Sequence, residues 1–239
     1  MTDLPDTMRA LVLPAWGAPL ELREVARPDP APGEVLIRLA ASPINPSDLM
    51  TLKGLYNVPL DPPLVPGLEG AGQVVAAGAG VLPKTLMGKR VACASAAGGL
   101  WAEYIALPFD RVVTLPRDLP LGMAAMSAVN PLTAIALIDE ARRRGHRTVI
   151  STAAAGQLGR MIRRRGAAKG VEIINIVRRA AQVDALKAEG ARHVLDETAP
   201  DFDAGLKTLC RTLNCRMALD AVGGQMTFRL LEALGPRCD

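Results

Sequence analysis

Small residues between two apolar runs form the part of the chain best suited to binding a ligand. The β-branched residues 148–150 precede an Ala-x-x-Gly-x-x-Gly pattern that begins at Ala153 and contains Gly156 and Gly159, and a second apolar run covers residues 171–177. Strand, glycine turn, helix and strand in this order are typical of a dinucleotide-binding βαβ unit, where the backbone approaches a pyrophosphate and a helix N-terminus offers free N–H groups. An ordinary strand-to-helix turn can carry the same pattern, so the motif alone leaves both interpretations open.

Two arginines follow the second apolar run, where NAD-binding proteins carry an acidic residue for the ribose 2′-hydroxyl. Arg178 and Arg179 are instead suited to charge-assisted contacts with a 2′-phosphate, some of them bidentate. They favour NADP(H) as the cofactor. The alternative is that the two arginines only end a strand in solvent.

Composition and charge restrict the class of protein. The 239 residues are 49% hydrophobic and 22% charged, which suits one large or two modest globular domains. The net charge of +4 is too balanced to argue for nucleic acid, although basic residues cluster in residues 142–147 and 160–169. The clusters are interpreted as solvated helix faces or as a positive field for a polyanionic cofactor. RNA binding is a third interpretation, which the 3% aromatic content disfavours because stacking platforms are scarce.

Cysteine usage and hydropathy bear on the compartment. Four scattered cysteines without a Cys-x-x-Cys pair predict reduced thiols in a cytoplasmic protein. Residues 119–138 contain no charge, but prolines and polar residues interrupt them. We therefore interpret this stretch as helix packed inside the protein and expect no membrane span.

The elements that must position the glycine turn and the arginines change in type along the chain. Residues 1–120 contain short strands with glycine and proline between them, which predicts a β-rich, partly open barrel. Residues 121–239 alternate helices with strands, which predicts a doubly wound parallel sheet, so the fold class is α/β. Strands are expected at residues 8–13, 20–25, 34–41, 71–77, 90–94, 99–106, 111–115, 148–152, 171–177, 193–195 and 217–219, and helices at residues 181–189, 203–212 and 225–234.

Several short motifs occur along the chain, and their order and spacing together are more specific than any one motif. They are INPSD (44–48), GLY (54–56), PGLEGAGQV (66–74), GLWAEY (99–104), NPLTA (130–134), LKAEGARHVLD (186–196) and DAVGG (220–224). With them the chain resembles the medium-chain dehydrogenase/reductase superfamily, in its zinc-independent quinone oxidoreductase and trans-2-enoyl thioester reductase branch. The resemblance implies a GroES-like catalytic domain, a Rossmann NADP-binding domain that is incomplete at its C-terminus, a homodimer, and no nucleic-acid partner.

The resemblance also argues against a metal. Zinc-bearing relatives hold the metal with a Cys in the place of Asn45, a His in the place of Leu68 and a Cys near Asn130, and none of these residues is a zinc ligand. Without a Lewis acid, reduction of a quinone, an enone or an enoyl thioester is the simplest chemistry, with NADPH as hydride source.

Family positions assign further roles. Tyr56 matches the tyrosine that supports the substrate oxygen or returns a proton, and Asn45 is expected to orient substrate or a water; the alternatives are a packing residue and a helix cap. Thr133 and Asn130 are expected near the nicotinamide, although Thr133 also suits a buried helix hydroxyl bonded to its own backbone. The remaining expected cofactor contacts are Ala155, Gly156, Gln157, Leu158, Gly159, Val222 and Gly223.

Two departures from the family pattern lead to further expectations. The chain ends where relatives begin another strand, which suggests a fragment, a partner-covered sheet edge or an unstable domain, and leaves open a truncated, inactive relative that binds nucleotide or a partner. Arginines and two glycines crowd residues 160–170, a poor face to lay on a sheet. We therefore expect a short or frayed helix and weak cofactor binding there.

Overall fold

The computed structural model describes residues 4–56, 59, 61–236 and 238–239. It divides into two compact units, Met1–Val129 and Asn130–Asp239. The sequence placed this boundary at residue 120. Each unit has its own hydrophobic core and is described separately below.

The first unit is built on antiparallel strands. One sheet pairs β1 with β2, and a five-stranded sheet has the order β6-β3-β4-β5-β7. The alternating side chains of β3 bury Val35 and Ile37 against Val74, Val91 and their neighbours to form the core. The strands are β1 (Thr7–Val12), β2 (Glu21–Ala26), β3 (Glu34–Ala41), β4 (Glu69–Ala77), β5 (Arg90–Ala94), β6 (Tyr104–Pro108) and β7 (Val112–Thr114).

Short helices connect these strands. They are α1 (Pro46–Leu52), α2 (Val81–Thr85) and α3 (Leu121–Ala124), with a 3₁₀ turn at Phe109–Arg111. Helix α1 begins within the INPSD motif, where Pro46 stands at a position that needs no backbone N–H.

The second unit is an α/β structure with a four-stranded parallel sheet in the order β10-β9-β8-β11. This confirms the predicted α/β fold class. The strands are β8 (Thr148–Ser151), β9 (Glu172–Val177), β10 (His193–Asp196) and β11 (Ala218–Leu219), and the helices are α4 (Val129–Arg143), α5 (Gln157–Lys169), α6 (Ala180–Ala188), α7 (Phe202–Thr212) and α8 (Gln225–Leu234).

Alternate residues of the buried strands serve opposite faces of this sheet. Ile150 and Ile174 pack with Phe202 of α7 in one cluster, whereas Val149 and Ile173 pack in another. That second cluster also holds apolar residues of α4 and α5. Helices therefore cover both faces, which is why the central strands read as continuous apolar runs.

The expectation of a short or frayed helix after the glycine turn was wrong. Helix α5 has 13 residues and ends at Gly170, whose φ of 69° is left-handed. Its buried side consists of Gly159, Ile162 and Gly166, so two glycines bring the helix close to the sheet. The arginines leave this face apolar because Arg160, Arg163 and Arg165 contact acidic residues outside the helix and Arg164 is exposed.

The ion pairs that accommodate these arginines bridge distant parts of the sequence. Arg163 pairs with Glu189, and Arg160 lies 3.2 Å from the same carboxylate. Arg165 contacts Asp139 of α4 at 2.7 Å.

The uncharged stretch 119–138 is broken into α3 and the start of α4. In the part of the chain that the structure describes, no helix is long and apolar enough to cross a membrane.

At the β11 edge of the sheet, the backbone of Asp239 forms two hydrogen bonds with residues in or next to β11. Ala218 N donates to Asp239 O at 3.0 Å, and Asp239 N donates to Arg216 O at 2.8 Å.

Candidate functional site

The glycine turn joins β8 to α5 at the carboxyl edge of the parallel sheet. Ala154 N donates to Ile176 O at 3.0 Å, which ties the turn to the neighbouring strand. Ala153 adopts a left-handed φ of 49°, a strained conformation for a residue with a Cβ. Gly156 is the N-cap of α5, and no side chain caps this helix. The first N–H groups of α5, at Gln157 and Leu158, are therefore suited to bind an anion.

The two motif glycines have different surroundings. A Cβ at Gly159 would lie 2.4 Å from Ala154 O, so this glycine lets the helix cross the turn closely. A Cβ at Gly156 would meet only Ala153 O, at 3.2 Å, and otherwise fills the open space before the helix. The missing side chain at Gly156 thus leaves room for a ligand, whereas the missing side chain at Gly159 leaves room for the backbone of Ala154 in the turn.

A cavity of about 440 Å³ opens beside this turn. Its lining residues come from the turn, from the ends of β9, β10 and β11, and from the first turn of α6: Ala153, Ala155, Gly156, Ile176, Val177, Arg178, Gln182, Glu197, Ala221 and Val222. The structure therefore brings together Ala155, Gly156, Arg178 and Val222 from four separate predicted positions. In open parallel sheets this edge is where ligands bind.

The two predicted arginines are placed differently. Arg178 lines the cavity, and its N–H lies 3.3 Å from Gln182 Oε1. Arg179 is the N-cap residue of α6, with extended backbone angles, and in the described structure it is not part of the cavity lining. The geometry thus favours Arg178 as the cation that faces a ligand.

The DAVGG motif forms a loop organised by one carboxylate. Asp220 Oδ1 accepts hydrogen bonds from Thr152 Oγ1 at 3.0 Å, Val222 N at 2.9 Å and Gly223 N at 3.1 Å, and Asp220 Oδ2 accepts one from Thr227 Oγ1 at 2.7 Å. Burial by itself would raise the pKa of Asp220, but these hydrogen bonds outweigh it and hold the pKa below its ordinary value. Asp220 therefore fixes Val222 at the cavity mouth.

A separate polar cluster lies inside the first unit. Asn45, at the N-cap of α1, is 7% exposed, and its Nδ2 donates to Glu69 Oε1 at 2.9 Å. Asp48 Oδ2 accepts the N–H of Asn45 at 2.6 Å. Burial raises the pKa of Asp48. Burial, followed by the nearby Glu69, raises the pKa of the Cys93 thiol to about 12.

The predicted donor Tyr56 follows α1 by four positions in the sequence and has 44% of its surface exposed. Its exposure fits a hydroxyl that meets a substrate better than it fits a packing residue. Asn130 and Thr133 lie in the first turn of α4, three residues apart and hence on one face, and both are half-buried.

A metal centre finds no support among the described residues, which contain no group of three or more His, Cys, Asp or Glu able to hold an ion. His146 instead contacts Asp239 at 2.8 Å, and His193 contacts Glu172 at 3.1 Å.

Three residues of these sites escaped the sequence reasoning. Gln182 and Glu197 line the cavity, and Glu69 is a fully buried carboxylate within β4. Glu197 lies just after the predicted strand 193–195. The carboxyl ends of parallel strands meet at one edge of the sheet, and this rule could have predicted Glu197 as a pocket residue.

Together the two units define the class: a protein with a β-rich unit and an α/β unit that has an open cavity at the carboxyl edge of its parallel sheet. Residues 31–117 match the alcohol dehydrogenase GroES-like domain. The chain is 34% identical over 243 residues to the mitochondrial enoyl-[acyl-carrier-protein] reductase of Bos taurus, covering 97% of this chain and 64% of that protein.

Two solved structures of quinone reductases are also similar to this chain. A protein of Mesorhizobium loti described as an NADPH:quinone reductase is 36% identical, with a TM-score of 0.91 over 99% of this chain and 74% of that one. The quinone oxidoreductase of Thermus thermophilus, which was also solved with NADPH, is 28% identical, with a TM-score of 0.79 over 97% of this chain and 72% of that one.

The chain belongs to the medium-chain dehydrogenase/reductase superfamily, in its zinc-independent quinone and enoyl reductase branch. The resemblance stated from the motifs is thereby confirmed. The enoyl reductase and the two quinone reductases compared above are oxidoreductases by name, and this chain spans 64% of the length of the bovine enoyl reductase.

Proposed function

We propose that the chain is an NADPH-dependent, zinc-independent oxidoreductase that reduces a quinone or an α,β-unsaturated carbonyl compound, including an enoyl thioester. The observation that carries this proposal is the 440 Å³ cavity in which the uncapped start of α5, Gly156 and Arg178 meet. The names of the relatives support it, since they include an enoyl reductase and NADPH:quinone reductases.

The pocket residues fit a dinucleotide in three respects. The open space at Gly156 admits a pyrophosphate, the first N–H groups of α5 are donors for its oxygens, and the dipole of a 13-residue helix favours negative charge at this end. Arg178, beside them, supplies a fixed positive charge for a 2′-phosphate. When bound, NADPH would supply the hydride.

Residues of the first unit are assigned the substrate end of the chemistry. The Tyr56 hydroxyl supports the substrate oxygen by donating a hydrogen bond, and the exposure of this side chain leaves it accessible. Asn45, held by Glu69, orients the substrate or a water. Asn130 and Thr133 are assigned to the nicotinamide region, and a homodimer is proposed as the assembly.

The test begins with binding, because binding does not require the correct substrate. NADPH and NADH are titrated by calorimetry against the wild type, Arg178→Ala and Arg179→Ala. We expect Arg178→Ala to weaken NADPH about tenfold, equivalent to 1.4 kcal/mol, while leaving NADH nearly unchanged. Arg179→Ala is expected to have a smaller effect and serves as the matched control.

Turnover is then followed as NADPH consumption with a panel of quinones, enones and enoyl thioesters. Binding without turnover on any of them would favour the inactive, nucleotide-binding relative. If the wild type does not bind NADPH, the proposed hydride source is absent and the proposal fails.

A further inference from the structure

Glu197 lies beside Arg178 because of the register of two parallel strands. Val177 of β9 is paired with Asp196 of β10, and Glu197 N donates to Val177 O at 2.7 Å. Arg178 and Glu197 therefore each directly follow one residue of this pair in the sequence. Both line the nucleotide cavity described above.

The two opposite charges do not neutralise each other. In the described part of the chain, no ion pair within 4.0 Å joins the Arg178 guanidinium to the Glu197 carboxylate. The cation nearest to Glu197 in the hydrogen-bond network is Arg229, which donates to the Glu197 backbone O at 3.2 Å while its Nε contacts Asp203 at 2.7 Å. The carboxylate of half-buried Glu197 is thus available to a ligand.

The chemistry of a carboxylate decides what it accepts. An ionised carboxylate takes hydrogen bonds from hydroxyls and has no proton to donate. It therefore suits the hydroxyls of a ribose and repels a phosphate group. Arg178 has the opposite preference. Gln182, whose Oε1 faces Arg178 N, is neutral and has N–H groups that suit either ligand.

We propose that Glu197 is a specificity-determining residue of this pocket: its carboxylate accepts the adenosine ribose hydroxyls and opposes a 2′-phosphate, so that the pocket takes NADH as well as NADPH. This inference rests on the proposed function, since it concerns the same nucleotide site. It predicts a weaker preference for the phosphorylated cofactor than Arg178 alone would give.

The test uses two fragments that differ by one phosphate, 2′,5′-ADP and 5′-AMP, so that no substrate or turnover is needed. Their dissociation constants are measured by calorimetry for the wild type and Glu197→Gln. Glu232→Gln, at an exposed position of α8, is the matched control for loss of one negative charge. We expect Glu197→Gln to shift the affinity ratio toward 2′,5′-ADP about fivefold, and Glu232→Gln to leave it unchanged.

A second measurement needs no variant. If Glu197 accepts the 2′-hydroxyl, the wild type binds 2′-deoxy-5′-AMP about fivefold more weakly than 5′-AMP. Equal affinities for these two fragments, or an unchanged ratio in Glu197→Gln while Arg178→Ala still lowers affinity for 2′,5′-ADP, overturn the role of Glu197 and leave the nucleotide site intact. If no fragment binds the wild type, the nucleotide site itself is refuted and the role of Glu197 with it.

Discussion

The side-chain amide of Asn45 donates to the buried carboxylate of Glu69 at 2.9 Å. The other oxygen of that carboxylate accepts the N–H groups of Ala128 at 3.1 Å and Val129 at 2.8 Å. One acidic side chain thus fixes both a predicted substrate contact and the backbone at the start of α4. Glu69 is fully buried, so these bonds are its compensation for lost hydration.

We expect Glu69→Ala to destabilise the protein by about 3 kcal/mol, because it removes the acceptor of one buried and two partly buried donors. Glu69→Gln keeps an acceptor oxygen and is expected to cost clearly less. Urea unfolding of both variants measures the difference. Equal losses for Ala and Gln would show that the retained volume and single acceptor oxygen of Gln contribute little, and that both carboxylate oxygens are needed as acceptors.

Substitutions of the two motif glycines are expected to have different effects on stability and on NADPH binding. Gly159→Ala places a Cβ 2.4 Å from Ala154 O and should lower the free energy of unfolding by about 2 kcal/mol. Gly156→Ala should fold nearly normally but bind NADPH at least about tenfold more weakly, because its Cβ occupies the space of the pyrophosphate.

The matched control for both is Gly205→Ala in helix α7, where the added Cβ makes only an ordinary 3.7 Å contact. It should stabilise the protein slightly, by about 0.5–1 kcal/mol, since alanine is the better helix former. Normal NADPH binding by Gly156→Ala would contradict the role given to this glycine.

Asp220 should make stability depend on pH in acid. Because its pKa is lowered in the folded state, ionised Asp220 stabilises the fold above its ordinary pKa, and the contribution is lost as the pH falls through the folded-state pKa. Asp220→Asn should therefore lower the melting temperature at pH 7, with the difference from wild type shrinking below about pH 4. Asp184→Asn, on the exposed side of α6, is the control for loss of one carboxylate. A pH-independent difference for Asp220→Asn would count against this assignment.

The thiols are expected to react in two classes. Cys93, Cys210 and Cys215 are buried, and Cys238 is partly exposed. With a pKa raised to about 12, Cys93 has almost no thiolate at pH 8. Titration of the native protein with an aromatic disulfide should show one fast thiol, which Cys238→Ser removes. A fast phase that survives this substitution would mean that a buried cysteine is accessible.

The alternation of strands and helices was predictable because the buried strands carry β-branched runs at the spacing of βαβ units. The persistence of α5 was not, since its arginines are accommodated by Asp139 and Glu189, each far from its arginine in the sequence. The sequence of α5 alone does not show these acidic partners.

The pocket was predictable in part for a similar reason. Gly156 and Arg178 belong to a local pattern, whereas Glu197 enters only through the pairing of β9 with β10. The sequence placed Glu69 in the PGLEGAGQV motif, before the predicted strand 71–77, and its three donors lie 24, 59 and 60 positions away. Local patterns reveal local contacts, and these charges are satisfied at long range.

The pairing of β9 with β10 has a consequence for how this protein can evolve. Arg178 and Glu197 stand just beyond the last ladder position of their strands, outside the packed interior. Exchanging either charge therefore disturbs neither the sheet nor the side chains beneath it. Under the proposed function, altering two codons would therefore change which nicotinamide cofactor the pocket prefers on an unchanged scaffold.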